Sequence, residues 1–526
     1  MDGRVEVFYD GKCPMCMSLM RRVEGSAKRG EFDLRDMRAA KRLPFKREAV
    51  EKEIHVVDRD GQVYKGAQGV LKIAGQYRGL GLLEKMGAFP LVRPLLPIGY
   101  RFVAANWRFL FGPASRIFWL KVIIVLVFCL GLAMSSHLWI GPRSYPLAAV
   151  FDFLPQAGHP VDYALFAALF ALAAAILVSP RPQKFIAAFL AITVILCLLD
   201  QTRLQPWVFL YGFLLATLAV FSWNNEDVAG RNRALNIARL IMAGTYLFSG
   251  LQKINPNFMQ NDFPWIVSPI TDVVPAAARA LRWLGMAAPF IQVAFALGLL
   301  TRRFRRISLI AAISMHVFIL GMFGPLGLDW NNIIWPWTAA MAVLDILLFT
   351  GKQEFSWHDI VWSGRHPYHA GILVVFIGLP LLSFVNLWDS YLSAALYSGN
   401  LTEAEIYTND RGRNSLPERF KAYLVHTSDD TNVLNIQRWA IEDVNVMPYP
   451  EVRAYKKIAK DVCLHLHNSA DLVLVVREQR LFFGKPETGY RCWHLSMLPS
   501  PEPQMPGKRR GMPEPRWRAP HVSFHA

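Results

Sequence analysis

Val5-Glu6-Val7-Phe8-Tyr9-Asp10-Gly11-Lys12-Cys13-Pro14-Met15-Cys16 is the stretch on which the reading of the chain turns. Val5–Tyr9 is a short apolar strand, and a helical pattern runs from Met15 to Glu24. The C-x-x-C pair falls where strand hands over to helix. A helix N-terminus carries unpaired N–H groups and a partial positive charge, which favour a thiolate on the first cysteine. The second cysteine, one turn on, is placed to resolve a mixed disulfide. Cys13 is therefore the expected attacking thiol and Cys16 the resolving thiol, with Asp10 in proton transfer or in capping the turn. A half-site for zinc and a pair of buried structural thiols are the other readings of the same residues. Zinc needs two further ligands, and His55 is the only histidine in residues 1–116.

Outward from the motif, Phe32–Asp36 and Glu53–Val57 alternate like strands, and Ala67–Ala74 reads as a second helix. Asp58-Arg59-Asp60-Gly61 is a hairpin turn, with Gly61 free to take positive φ. Residues 1–116 hold 22 basic and 13 acidic residues and read as a soluble α/β domain. The string Tyr9-Asp10-Gly11-x-Cys13-x-x-Cys16 resembles the DCC family of thiol-disulfide oxidoreductases, named for D-x-x-C-x-x-C. His55–Gly66 fits that family's hairpin. Tyr100-x-x-Val103-Ala104-Ala105-Asn106-Trp107-Arg108-x-Leu110-Phe111-Gly112 fits its closing signature, with Trp107 set between the usual Asn and Arg. The resemblance covers residues 1–112. It implies a thioredoxin-like fold, redox roles for Cys13 and Cys16, and a protein thiol or disulfide partner.

The chain has 526 residues and a formal net charge of +17; 53% of residues are hydrophobic and 18% charged. A soluble globular chain carries about 25% charged residues, so a purely soluble enzyme is excluded, as is a disordered chain. Nine apolar segments follow from Ile117, near 117–140, 162–178, 184–199, 206–222, 234–252, 286–300, 306–324, 332–349 and 370–388. About 20 helical residues cross a ~30 Å apolar core, and the second, third and sixth segments fall short of that. The expected architecture is multidomain: a thioredoxin-like domain over 1–112, an α-helical polytopic membrane domain of about nine spans over 113–392, and a small α/β domain over 393–500. Phe420–His426, Val433–Ala440 and Leu472–Arg477 look like strands of that last domain, and a disordered Pro/Arg-rich tail follows over 501–526.

Loops carrying Arg181, Lys184, Arg231, Arg233 and Arg302–Arg306 fall on one side, together with the basic N-terminal region. The bias of Lys and Arg toward the cytoplasm puts the first domain inside a bacterial-type inner (plasma) membrane and residues 393–500 outside. Met1–Glu6 lacks the apolar run of a signal peptide. The basic residues flank apolar segments and form no patch interleaved with aromatics, so nucleic acid is not an expected partner. Six cysteines are too few for a disulfide scaffold. Cys463 and Cys492 are the only two in the outer region, where an oxidising compartment lets them pair. Asp461–His467 reads as a strand with Cys463, His465 and His467 on one face, a polar face in preference to a metal site.

An ionisable residue inside a membrane domain is a functional candidate. Lys253 stands at the outer end of the fifth segment, in Tyr246-Leu-Phe-Ser-Gly-Leu-Gln-Lys-Ile-Asn-Pro-Asn-Phe258. An apolar pocket destabilises the charged amine and lets it serve as a base; a lysine at a helix end also snorkels to the interface. Gly250 lets another helix approach. His316 lies mid-span, where a neutral imidazole suits a polar network. Arg239 is expected at the cytoplasmic headgroups and Asp345 in packing or capping. Trp330, Trp335 and Trp337 read as an interfacial belt. The Tyr246–Phe258 string resembles the helix of vitamin K-dependent gamma-carboxylases that carries their catalytic lysine, within the wider group of horizontally transferred transmembrane (HTTM) domains. Met315–Gly324 and Trp335–Leu348 are similar to that group as well. The resemblance covers roughly residues 117–390 and implies that Lys253 deprotonates a vitamin K hydroquinone.

Three functions follow as expectations. The first is a membrane-bound thiol-disulfide oxidoreductase coupled to a lipid-soluble quinone-type substrate. The second is a carboxylase-like lyase with Lys253 as base. The third is a membrane anchor or transport domain carrying a redox module.

Overall fold

The computed structural model describes residues 4–25, 29–40, 44–46, 50, 53–77, 96–97, 100, 115–154, 160–221, 227–350, 355–362, 366–428, 430–478 and 486–496. The chain divides into two compact units, Met1–Trp119 and Leu120–Ala526. The closing signature after Tyr100 and the expected tail lie outside the described residues.

The first unit is built on β1 (Val5–Tyr9), α1 (Pro14–Glu24), β2 (Phe32–Asp36), β3 (His55–Val57), β4 (Val63–Lys65) and α2 (Gly66–Gly75). Its sheet runs β2-β1-β3-β4. β1 and β2 are parallel, with Val5 opposite Phe32, so the chain must cross over between them, and α1 is that crossover. β3 pairs antiparallel with β1 and β4. The turn into β4 closes with Gly61 N–H on the Asp58 carbonyl at 2.9 Å, and Gly61 has φ +76°. Central β1 is covered on both faces. Val5 and Val7 pack with Met20, Val23, Phe32, Ile54, Val56 and Ile73, and Phe8 packs with Met37 and Val50 on the other side.

The second unit begins with helices. Six are long and apolar enough to cross a membrane: α3 (Ser115–Met134), α4 (Val161–Val178), then α7 (Val228–Gln252), α8 (Ala278–Leu299), α9 (Arg305–Phe323), and α11 (Pro367–Leu373) with its continuation to Val385. α5 (Gln183–Leu199), α6 (Pro206–Val220) and α10 (Ile334–Phe349) are apolar but shorter. Long apolar helices therefore number six among the described residues, against about nine expected spans. The short ones are the third, fourth and eighth segments, because the sixth gains length from a flank containing Arg279 and Arg282 that an apolar window leaves out. α7 is the central helix: 78% of its most apolar window is buried, against 22% for α4 and α9. α9 instead presents exposed Ile307, Ile310 and Val317, as a lipid-facing helix does.

The remaining elements are β5 (Glu403–Thr408), β6 (Leu424–Ser428), β7 (Thr431–Leu434), α12 (Ile436–Val444), α13 (Val452–Cys463), β8 (Leu472–Arg477) and β9 (Glu487–Arg491). They form an antiparallel sheet in the order β6-β7-β5-β8-β9. β8 alternates buried and half-buried residues as its sequence does. Two expected strands are corrected. The run Val433–Ala440 splits after Leu434, because Asn435 caps a helix by accepting Arg438 N–H at 2.9 Å. Asp461–His467 is no strand: its first three residues end α13, whose buried face (Ala454, Tyr455, Ile458, Ala459, Val462) follows the helical period. The sheet region is tied to the helices within this unit. The Asp443 carboxylate accepts Ser144 N–H at 2.8 Å and Tyr145 N–H at 2.6 Å, and the Trp439 indole donates to the Ser144 hydroxyl at 2.8 Å.

Candidate active site and bundle cavity

The loop between β1 and α1 is held by its own polar atoms. Cys13 N–H donates to the Asp10 carbonyl at 2.9 Å. The Asp10 carboxylate accepts Lys12 N–H at 2.9 Å and is gripped by Arg38 through Nε and, at 3.0 Å, through Nη2. The Arg38 hydrogen bond holds the Asp10 carboxyl below the usual carboxylate range. Gly11 N–H is taken by Asp36 at 2.9 Å. Cys13 is then the N-cap of α1, and its sulfur accepts Cys16 N–H at 3.4 Å. Cys16 lies beneath, 4% exposed. The hydrogen bond to the Cys13 sulfur and burial push the Cys16 thiol far above its ordinary range. One sulfur is thus placed to carry negative charge on a helix N-terminus while the other keeps its proton. Tyr100, first residue of the closing signature, puts its hydroxyl on Ile54 N–H at 3.2 Å. Burial, then the two thiols, push that phenol up.

A strand, a C-x-x-C helix cap and a buried second thiol under it are parts that a disulfide exchanger needs, and a family comparison points the same way. Residues 7–113 match the DCC1-like thiol-disulfide oxidoreductases. The chain therefore couples a DCC1-like domain to helices long and apolar enough to cross a membrane. No curated protein and no solved structure matches it.

Beyond the DCC1-like domain, the helical unit encloses a cavity of about 530 Å³. Its walls come from α7, α8, α9 and α10, and the linker Tyr391–Tyr397 also lines it. Most of the lining is apolar or aromatic, with Phe258, Phe295, Phe323 and Trp337 among it. Both Lys253 and His316 line this one cavity. The Lys253 amine reaches back a full turn, to the Ser249 carbonyl at 2.9 Å and its hydroxyl at 2.7 Å. That direction runs into the bundle, opposite to a snorkel. Two of the three ammonium protons are used. The Asp262 carboxylate also acts on the amine through its charge.

Around Lys253 the motif holds the linker. The Gln252 amide donates to the Ser383 hydroxyl at 2.7 Å and accepts from Asn400 at 2.5 Å. Asn255 donates to the Ser398 carbonyl at 2.7 Å. The sequence reading leaves Gln252 without a role, although it stands in the quoted string. Gly250 permits the contact with α8: a Cβ there would stand 3.0 Å from Val293 N and 3.1 Å from the Pro289 carbonyl.

His316 belongs to a buried triad. The Tyr246 hydroxyl lies 2.8 Å from His316 Nε2 and 2.8 Å from Asp345 Oδ2. Asp345 is fully buried and is a member of this network, which three separate helices assemble. Arg239 does not face headgroups. It is buried, donates to the Leu348 carbonyl at 2.8 Å, and stacks on Phe355. Trp330, Trp335 and Trp337 pack half-buried around Phe258, Phe263 and Phe323. Cys463 and Cys492 are bonded, S–S 2.08 Å. His465 leaves the helix end and meets Arg419 at 2.8 Å. Among the described residues no three metal-ligating side chains converge.

Proposed function

We propose that this protein is a membrane-bound thiol-disulfide oxidoreductase in which Cys13 attacks and Cys16 resolves. The observation that carries the reading is the Cys13 sulfur at the N-cap of α1, accepting Cys16 N–H above a buried, protonated Cys16. The Cys13 thiolate attacks a disulfide sulfur of a partner protein, a mixed disulfide forms, and one partner thiolate leaves. Cys16 then loses its proton and attacks the Cys13 sulfur, which releases the second partner thiolate and leaves Cys13–Cys16 oxidised. Asp10 acts here as the loop's anchor, since both its carboxylate oxygens are engaged. The sheet order β2-β1-β3-β4 with a parallel first pair supports a thioredoxin-like fold for this domain. Cys16→Ser should trap the partner as a mixed disulfide on Cys13, visible as a shifted band on a non-reducing gel. Cys13→Ser should trap nothing, and a band of equal strength with Cys13→Ser overturns the assignment.

The bundle cavity supports a second element of the reading, a lipid-soluble quinone-type ligand. An apolar chamber with a lysine amine turned into it and a spare imidazole nitrogen suits an apolar ring carrying oxygens. Lys253 and His316 would hold such a ring, and its two-electron, two-proton chemistry would be the ring's own. The amine's inward direction also keeps alive a carboxylase-like reaction with Lys253 as base. Binding of 1,4-naphthoquinone to the purified protein tests the chamber. Lys253→Ala should weaken it about tenfold, the worth of one buried hydrogen bond.

The basic loops and the Cys463–Cys492 bond support an inner DCC1-like domain and an outer C-terminal domain, since disulfides persist in oxidising compartments.

A further inference from the structure

We propose that Gln292 and Thr338, together with Lys253, form a polar clamp in the bundle cavity that selects an apolar ring carrying two carbonyl oxygens and no charge. This rests on reading that cavity as a quinone-type ligand site, and adds the neutral side chains that read the ligand's oxygens and the charge state in which it binds.

Gln292 on α8 is 6% exposed and Thr338 on α10 is 4% exposed, and both line the cavity. Among the described residues neither side chain has a hydrogen-bond partner, and neither has its polar atoms wholly occluded, so both open onto the cavity. Buried polar groups are paired with few exceptions, and leaving one bare costs the full penalty of taking it out of water. Two such groups in a chamber lined mostly by apolar and aromatic side chains mark where a ligand's polar atoms belong.

Helix packing brings these groups to one level. α7 and α10 run antiparallel: Arg239 meets the Leu348 carbonyl, and Tyr246, further along α7, meets Asp345, earlier on α10. Lys253 lies seven residues beyond Tyr246 and Thr338 seven residues before Asp345. Each step is the same ~10 Å of helix and returns to the same face. α8 also runs antiparallel to α7: Phe295 packs on Tyr246 at 5.4 Å between ring centroids, while Gly250 faces Pro289 and Val293. Gln292 therefore stands level with Ser249 and Gly250, where the Lys253 amine reaches back. Lys253 has one ammonium proton left and can only donate, whereas Gln292 and Thr338 can each donate or accept. A carbonyl oxygen offers two lone pairs, so three donors call for two oxygens. Asp262 already answers the ammonium's charge, so the ligand needs none of its own.

The test uses the full chain in detergent with four bicyclic probes. 2,3-Dimethyl-1,4-naphthoquinone has two carbonyls, and its blocked ring positions keep free thiols from adding. 1-Tetralone has one carbonyl, 2,3-dimethylnaphthalene has none, and 2-naphthoate is charged. Wild-type affinity should rise about tenfold with each carbonyl, one buried hydrogen bond's worth, and 2-naphthoate should bind more weakly than the quinone. Gln292→Leu should bring the quinone down to the tetralone level and leave tetralone unchanged; Thr338→Val should weaken the quinone alone, and Thr338→Ser should restore it. Without ligand, the unfolding midpoint of Gln292→Leu should hold or rise, because an unpaired buried amide gives way to an apolar side chain of like size. A fall in that midpoint shows a structural amide and overturns the clamp. Quinone affinity untouched by both Gln292→Leu and Thr338→Val overturns it too, as does 2-naphthoate binding tightest. Equal affinity for the three neutral probes, the result if water alone pairs these groups, overturns the clamp and leaves the ligand site standing. Failure of all four to bind wild type overturns both readings.

Discussion

Asp10 shows how a single residue can be read correctly in type and only half in role. The sequence marked it by its place three residues before Cys13. Its partner Arg38 stands 28 residues on, and only the sheet brings the two together. Because that pairing lowers the Asp10 carboxyl, the folded state favours the ionised form. The stabilisation is complete above the ordinary carboxylate pKa and is lost as the pH falls through the lowered one. Asp10→Asn should therefore cost about 1–2 kcal/mol at neutral pH, the lower end because Arg38 is partly exposed. The difference from wild type should shrink in acid. Modification of Cys16 by a small thiol reagent along a denaturant series reads this directly; a difference that does not change with pH would refute the ion-pair account. Lys253 and His316 were legible as single ionisable residues in apolar runs. Their company was not: Tyr246 was passed over, and Asp345 was read as packing, because the three triad residues lie 29 to 99 positions apart.

At the scale of elements, β1, β2 and β8 match their sequence patterns residue for residue, since period-two alternation or a fully apolar run leaves few alternatives. The misread runs are those where one element stops inside the window: Asn435 turns a strand into a helix within two residues, and α13 ends at Cys463. Helix lengths were misjudged where charged flanks continue an apolar helix, as at Arg279 and Arg282 in α8. The α7–α8 contact was foreseen from Gly250 alone, though its partner was not. Gly250→Leu would drive a side chain into α8 backbone, and backbone cannot yield as a flexible side chain does. Overpacking of this kind costs about 1–3 kcal/mol, so the unfolding midpoint of the solubilised protein should fall and 1,4-naphthoquinone binding with it. Gly321→Ala, at a position with no heavy atom within 4 Å of the added carbon, should leave the midpoint in place.

For the whole molecule, the testable quantity is sidedness. In intact cells an impermeant maleimide should leave Cys13 unlabelled, and should label Cys463 and Cys492 only after an impermeant reductant. Labelling of Cys13 without permeabilisation would invert the topology. The Cys463–Cys492 bond closes a separation of 29 residues, which on the chain-entropy account contributes roughly 3–4 kcal/mol. Cys492→Ser should accordingly make the C-terminal sheet region the first to yield to protease. The sequence by itself determined the local chemistry: a C-x-x-C after a strand, an apolar helical middle, and an amphipathic α/β end. Those depend on neighbours a few residues apart and on composition, which a linear reading sees. Tertiary structure alone decided that α7 is central, that Lys253 turns inward, and that His316, Tyr246 and Asp345 meet. Each is a contact between helices far apart in the chain, and apolar helices of one composition do not announce which neighbour they will pack against.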